Sequence, residues 1–134
     1  GAVAAGSDRL YMANWDARKI YEYTFDGKML RARRNPTSWR YQDMKYRYGS
    51  LVASALAPRP TTNHSMVWID PETLEPLKTV AAGATDRGVP FVNEGLDLRD
   101  GTIYALPEDA PSRIFVFDAM FLADLNRRGA TAGD

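Results

Sequence analysis

The chain has 134 residues, 45% of them hydrophobic, with seventeen basic and seventeen acidic side chains and no cysteine. That length is enough for one domain with a real core. The balanced charge argues against a dedicated nucleic-acid binder, and the lack of cysteine excludes disulfides, thiolate zinc sites and Cys nucleophiles.

Gly1 to Ala5 reads as a first strand, with Gly6-Ser7-Asp8 as its turn. The segment is small and apolar but lacks a charged leader, so it does not read as an intact signal peptide. Arg9 to Ala13 follows as a strand, then Lys19 to Phe25. The latter alternates, with Ile20, Glu22 and Thr24 on one face and Tyr21, Tyr23 and Phe25 on the other. Asp26-Gly27 is a hairpin signal, and Lys28 to Arg34 completes a four-stranded unit.

The order then repeats. Asp43 to Tyr48, Leu51 to Ala55, Met66 to Asp70 and Leu74 to Val80 read as four more strands, with tight turns at Gly49-Ser50 and Asp70 to Thr73. A third unit has Glu94 to Leu98, a turn at Asp100-Gly101, Thr102 to Leu106 and Arg113 to Asp118. Phe121 to Leu125 would be its fourth strand or a short helix, and 126–134 reads as a flexible tail.

Equivalent positions Tyr11, Val52 and Tyr104 lie 41 and 52 residues apart. Four short antiparallel strands per roughly 40–50 residues is the period of a β-propeller blade. The expected blades are 1–34, 42–80 and 93–125. A single β-sandwich or barrel with accidental self-similarity is the alternative. Propellers close with about four to eight blades, so three imply half of a six-bladed ring. The other half would be a second copy in a homodimer, a separate chain, or a further part of a parent protein. Lys28 to Arg47 holds seven basic residues and one acidic residue, whereas Asp86 to Asp124 holds eight acidic and three basic. Such opposed charge, with Arg31 and Arg33 at the basic end, would help two halves meet. Interleaved with Trp39, Tyr41, Tyr46 and Tyr48, the basic stretch could also stack on a sugar or base, or serve as a solvated face.

Tight turns and long loops segregate to opposite ends of such blades, and long loops on a rigid scaffold are where binding residues gather. The long-loop end would carry Asn14, Asp16, Trp39, Gln42, Asp43, Asn63, His64, Arg87, Asn93 and Glu94. Carboxylates and amides without thiols suit a hard divalent cation such as calcium, with Glu94 and Asp43 as its ligands. They equally suit acid–base catalysis, for which Asp43, Glu94 and the only histidine, His64, are the candidates. Asn and Asp at strand ends also serve simply as turn caps. No nucleophile elbow, phosphate loop or dinucleotide fingerprint occurs.

Asn93-Glu94-Gly95-Leu96 resembles the Glu-Gly opening in six-bladed propellers of the gluconolactonase and esterase-like phytase type. The Asp-Gly turns followed by Ile/Leu-Tyr strands are similar to NHL and TolB-like propellers more widely. The resemblance implies a metal-dependent, hydrolase-like site in the central channel, with Glu94 as a divalent-metal ligand. It also implies, by analogy with such propellers, a secreted or periplasmic location. A non-catalytic propeller that grips a protein or glycan through Trp15, Trp39 or Tyr41 is the other functional expectation.

Overall fold

The computed structural model describes residues 1–58 and 64–118. The expected strand at 121–125, the tail at 126–134 and the candidate Asn63 lie outside the described residues. Among the described residues every element is a strand. In chain order they are β1 (Ala2–Ala5), β2 (Leu10–Ala13), β3 (Lys19–Tyr23), β4 (Met29–Arg34), β5 (Arg40–Arg47), β6 (Ser50–Leu56), β7 (His64–Ile69), β8 (Pro76–Ala81), β9 (Gly95–Arg99), β10 (Thr102–Leu106) and β11 (Phe115–Asp118).

They form three antiparallel meanders, β1-β2-β3-β4, β5-β6-β7-β8 and β9-β10-β11. β1 packs beside β5, and β5 beside β9, so the first strand of each sheet lies along a common axis. Three meanders stacked face to face with their first strands innermost are propeller blades.

Local chemistry sets the turns. Tyr48 (φ 51°) and Gly49 (φ 75°) both sit in the left-handed region between β5 and β6, and Asp100 (φ 50°) and Gly101 (φ 77°) do so between β9 and β10. Two consecutive positive φ angles define the turn whose twist matches two-residue hairpins. The first of these turns falls one residue earlier than expected, because Ser50 already pairs with Arg47. The strand expected from Leu74 begins at Pro76 instead. Leu74 adopts φ 64° and is buried, closing the turn with its N–H on the Asp70 carbonyl at 2.8 Å.

Two cores hold the blades together. Ala2, Ala4, Tyr11, Ala13 and Ile20 of the first blade meet Met44, Leu51, Ala53, Ala55, Val67 and Ile69 of the second. On the second blade's other face, Val52, Met66 and Trp68 meet Val92, Leu96, Leu98 and Ile103. The central blade is thus covered on both sides, and Leu51 to Ala55 is buried without interruption. The outer blades alternate as half-buried strands should, β1 and β10 each with one buried and one exposed face.

One charged group enters the first core. Glu22 is fully buried, as the alternation of Ile20 with Glu22 requires once that face turns inward. Arg9 Nη1 donates to its Oε2 at 2.8 Å and Arg31 Nε at 3.0 Å, and Arg33 pairs with its Oε1. Arg33 also donates to the carbonyls of Pro71 and Glu72, tying the first blade to the turn before β8. Arg33 is thus largely enclosed by contacts within the chain, whereas Arg31 shares the Glu22 carboxylate and stays 44% exposed.

Candidate functional site

Strand polarity separates the two ends as the repeat requires. At one end lie the connections β1–β2, β3–β4, β5–β6, β7–β8 and β9–β10, of two to six residues; at the other lie the β2–β3, β6–β7 and β10–β11 loops and both blade-to-blade crossings, of five to thirteen residues. The candidates among the described residues fall toward the long-loop end in two groups, one at each blade junction.

At the first junction, the loop after β2 and the crossing into β5 frame a cleft of about 380 Å³. Trp15, Asp16, Ala17, Arg18, Thr37, Ser38, Trp39, Arg40 and Pro58 line it. Its shape follows from two local folds. Ala17 takes φ 47° with its N–H on the Asn14 carbonyl at 2.9 Å, so the loop doubles back and leaves Trp15 62% exposed. Asn35 is buried and its amide donates to the Ala17 and Trp39 carbonyls at 2.9 and 3.0 Å, stitching the two walls together. The Arg40 guanidinium lies 5.5 Å from the centre of the Trp15 ring, and Asp16 pairs with Arg18 at 3.3 Å. Asp16 and Trp39 from the sequence reading line this cleft, and Asn14 sits in its turn, accepting the Ala17 N–H. Arg18 and Arg40 join them, although nothing in the local pattern set these cations apart.

At the second junction, Asp43 lies inside β5 rather than at its start, beside a bulge at Gln42. Its Oδ2 accepts the N–H of Leu96 at 2.9 Å, and its Oδ1 accepts that of Met44 at 2.8 Å. The Lys45 ammonium lies 2.8 and 3.0 Å from the two oxygens. Buried Ser54 accepts the Asp43 N–H at 2.9 Å and donates to the Glu94 carbonyl at 3.1 Å. Asp43 and Ser54 therefore bind the second blade to the entry of β9. The Glu94 side chain is exposed just before that strand.

His64 opens β7 opposite Leu56. Burial, and then the nearby Arg40 charge, holds its pKa below the ordinary value, so the ring is neutral at pH 7. Neither His64 Nδ1 nor Gln42 Nε2, both buried atoms, has a hydrogen-bond partner among the described residues. Asn93 donates to Glu108 at 2.8 Å. Arg87 donates to the buried carboxylate of Asp109 at 2.9 Å, and Arg113 bridges Asp109 and Asp86. Burial raises the Asp109 pKa, but hydrogen bonds from Arg87 and Arg113 outweigh it and hold the group below the usual carboxylate range. This network fastens the crossing loop to the β10–β11 loop. Arg87, a candidate ligand-binding residue, is its anchor.

Asp43 fits a calcium ion poorly as it stands, because an ammonium already occupies both oxygens. Glu94 has the exposure a ligand needs. Among the described residues no three His, Asp or Glu side chains gather as a metal cluster would.

No protein-family pattern matches the chain, and no curated protein matches its sequence. Among solved structures the chain is similar to a glutaminyl cyclase from Myxococcus xanthus, at 23% identity and a TM-score of 0.59. The match covers 92% of this chain and 54% of that one, so this chain spans about half the length of that protein. The likeness, together with the three meanders, defines the chain as an all-β, propeller-type fold.

Proposed function

We propose that this propeller binds a small ligand at its long-loop end, and that the cleft between Trp15 and Trp39 is the seat for a glycan unit. The exposed indole of Trp15 above a cleft of about 380 Å³ carries this reading. That volume lies within the range of small-molecule sites, about 300–1,000 Å³. A sugar ring presents C–H groups on its flat face and hydroxyls on its rim. The indole offers an apolar, polarisable platform to the first, and Asp16, Arg18 and Arg40 offer hydrogen-bonding groups to the second. Trp39, half-buried and held by Asn35, supplies the fixed wall.

The test is tryptophan fluorescence and thermal shift with glucose, galactose and glucuronate at millimolar concentrations. The expected result is a saturable change with at least one of them, lost in Trp15→Ala. No saturation with any of the three, or saturation unchanged in the variant, refutes a carbohydrate seat in this cleft.

A metal-dependent, lactonase-like hydrolase is the second reading. The exposed Glu94 carboxylate before innermost β9 favours it, as do Gln42 Nε2 and His64 Nδ1 at the same end of the molecule, which have no hydrogen-bond partner among the described residues. The fold neighbour bears an enzyme's name, although a shared fold does not carry a shared reaction. In this reading Glu94 would hold a divalent cation such as calcium, and Asp43 would join it only by releasing Lys45. Bound, the ion would polarise a substrate carbonyl. Calorimetric titration with calcium chloride tests it. Saturable heat that disappears in Glu94→Gln supports the reading, and heat unchanged by that substitution removes Glu94 from any metal site.

A further inference from the structure

The exposed faces of the first and third blades carry side chains whose counterparts elsewhere in the repeat are buried. Pairing registers align the blades without ambiguity. Val3 opposite Met12 in the first blade corresponds to Met44 opposite Ala53 in the second and Leu96 opposite Ala105 in the third. The second and third pairs are 0 to 3% exposed; Val3 is 52% exposed and Met12 41%. On the third blade's far face, Tyr104 and Leu106 occupy the positions of Tyr11 and Ala13 in the first blade and Val52 and Ser54 in the second. Those four are at most 6% exposed, whereas Tyr104 and Leu106 stand at 38% and 45%.

The two bare faces are of opposite kinds. The first blade presents the face that the second turns toward the first. The third presents the face that the second turns toward the third. Each is therefore shaped to receive the other, as at the two junctions already formed within the chain. A single copy cannot bring them together, because three blades do not close a ring. Two copies can, and this chain covers 54% of the glutaminyl cyclase chain whose fold it resembles.

We propose that two copies of this chain close a six-bladed ring about a two-fold axis, each first blade packing on its partner's third blade. The two junctions are identical by symmetry, and neither bare face remains. Tyr104 of each copy lands where Tyr11 lies in the internal junction, stacked parallel to Tyr46 with ring centres 6.3 Å apart. The position matching Tyr46 on the receiving blade is Ala5, which leaves room for the Tyr104 ring.

Light scattering coupled to gel filtration reads the outcome directly, since one chain is 15.0 kDa. Wild type is expected at twice that mass. Met12→Asp and Tyr104→Asp should each shift it to the single-chain mass with an unchanged far-ultraviolet spectrum. Phe25→Asp, at an exposed loop tip, should not shift it. Mixing the two interface variants should restore a dimer, because the first keeps an intact third blade and the second an intact first blade. A folded wild type at the single-chain mass overturns the proposal. A dimer that survives Met12→Asp, a mixture that stays monomeric, or open assemblies larger than two copies overturn it as well.

Discussion

Replacing Glu22 tests the most concentrated electrostatic feature of the molecule. Its carboxylate is wholly buried, and the side chains of Arg9, Arg31 and Arg33 around it are 24, 44 and 19% exposed. Removing one partner of a fully buried pair costs about 3–5 kcal/mol. Here the stranded guanidiniums can partly reach water, so Glu22→Ala should cost about 2–4 kcal/mol. Glu22→Gln keeps the shape and one acceptor oxygen and should cost about 1–2 kcal/mol. For a domain of this size each kcal/mol moves the melting temperature by about 3–5 °C, so the alanine variant should melt some 6 to 20 °C lower, roughly, and the glutamine variant between the two proteins.

The pH dependence sharpens the same test. Burial alone would raise the Glu22 pKa, but hydrogen bonds from Arg9 and Arg31 and the Arg33 charge hold it below the ordinary value. A carboxylate with a depressed folded pKa contributes stability above its unfolded value, near 4.3, and that contribution is lost as pH falls through the folded value. Wild type should therefore lose stability on acidification below about pH 4.5, and more steeply than Glu22→Gln. Scanning calorimetry at fixed protein concentration from pH 7 to 3 measures both effects. A Glu22→Ala melting temperature within 2 °C of wild type at pH 7, roughly a fraction of a kcal/mol, would refute the hub reading. So would parallel acid slopes for wild type and Glu22→Gln.

Other substitutions follow from contacts at the blade junctions. Ser54→Ala should cost about 1–3 kcal/mol in chemical denaturation, because it strands the half-buried Asp43 N–H and the Glu94 carbonyl. Gly6→Ala should destabilise by about 1–3 kcal/mol, since its Cβ would stand 2.8 Å from the Tyr11 ring and 3.1 Å from the Arg9 carbonyl; an unchanged denaturation midpoint would mean that the turn relaxes freely. Asp43→Asn should lower the denaturation midpoint through the loss of Lys45 and weaker acceptance from Leu96. If it abolished a ligand response while leaving that midpoint unchanged, Asp43 would belong to the site rather than to the junction.

Much of the architecture was legible because propeller blades write themselves locally. Alternation in Lys19 to Tyr23 and the Asp100-Gly101 turn each depend on a few neighbouring residues, and both appear near where the pattern put them. The polarity of the two ends follows from the antiparallel strand order, with the longest loops, those before β7, β9 and β11, all at one end. Partners distant in sequence were not legible. Nothing near Glu22 announces that Arg9, Arg31 and Arg33 converge on it, because that meeting depends on strand register and on which face turns inward. Asp43 reads as a free carboxylate for the same reason: its engagement with Leu96 spans two blades. The aromatic cleft was half visible. Trp15 and Trp39 both stood out as candidates, but their pairing rests on the left-handed turn at Ala17 and the Asn35 amide, which no spacing rule encodes.

Strand β6 has no outside. Its five consecutive buried residues, Leu51 to Ala55, serve two interfaces at once, so a change at either parity of the strand is felt. In the flanking strands β2 and β10, buried positions alternate with exposed or half-exposed ones. Amide hydrogen exchange should therefore be slowest in β6 and β7 and quicken toward the outer blades, since the flanking sheets can open without exposing both cores. The same asymmetry makes tolerance to substitution a gauge of assembly in the cell. If Met12 and Tyr104 accept polar residues as freely as loop tips do, the arc works alone; if they are as intolerant as Ala53 and Val52, it works as a ring.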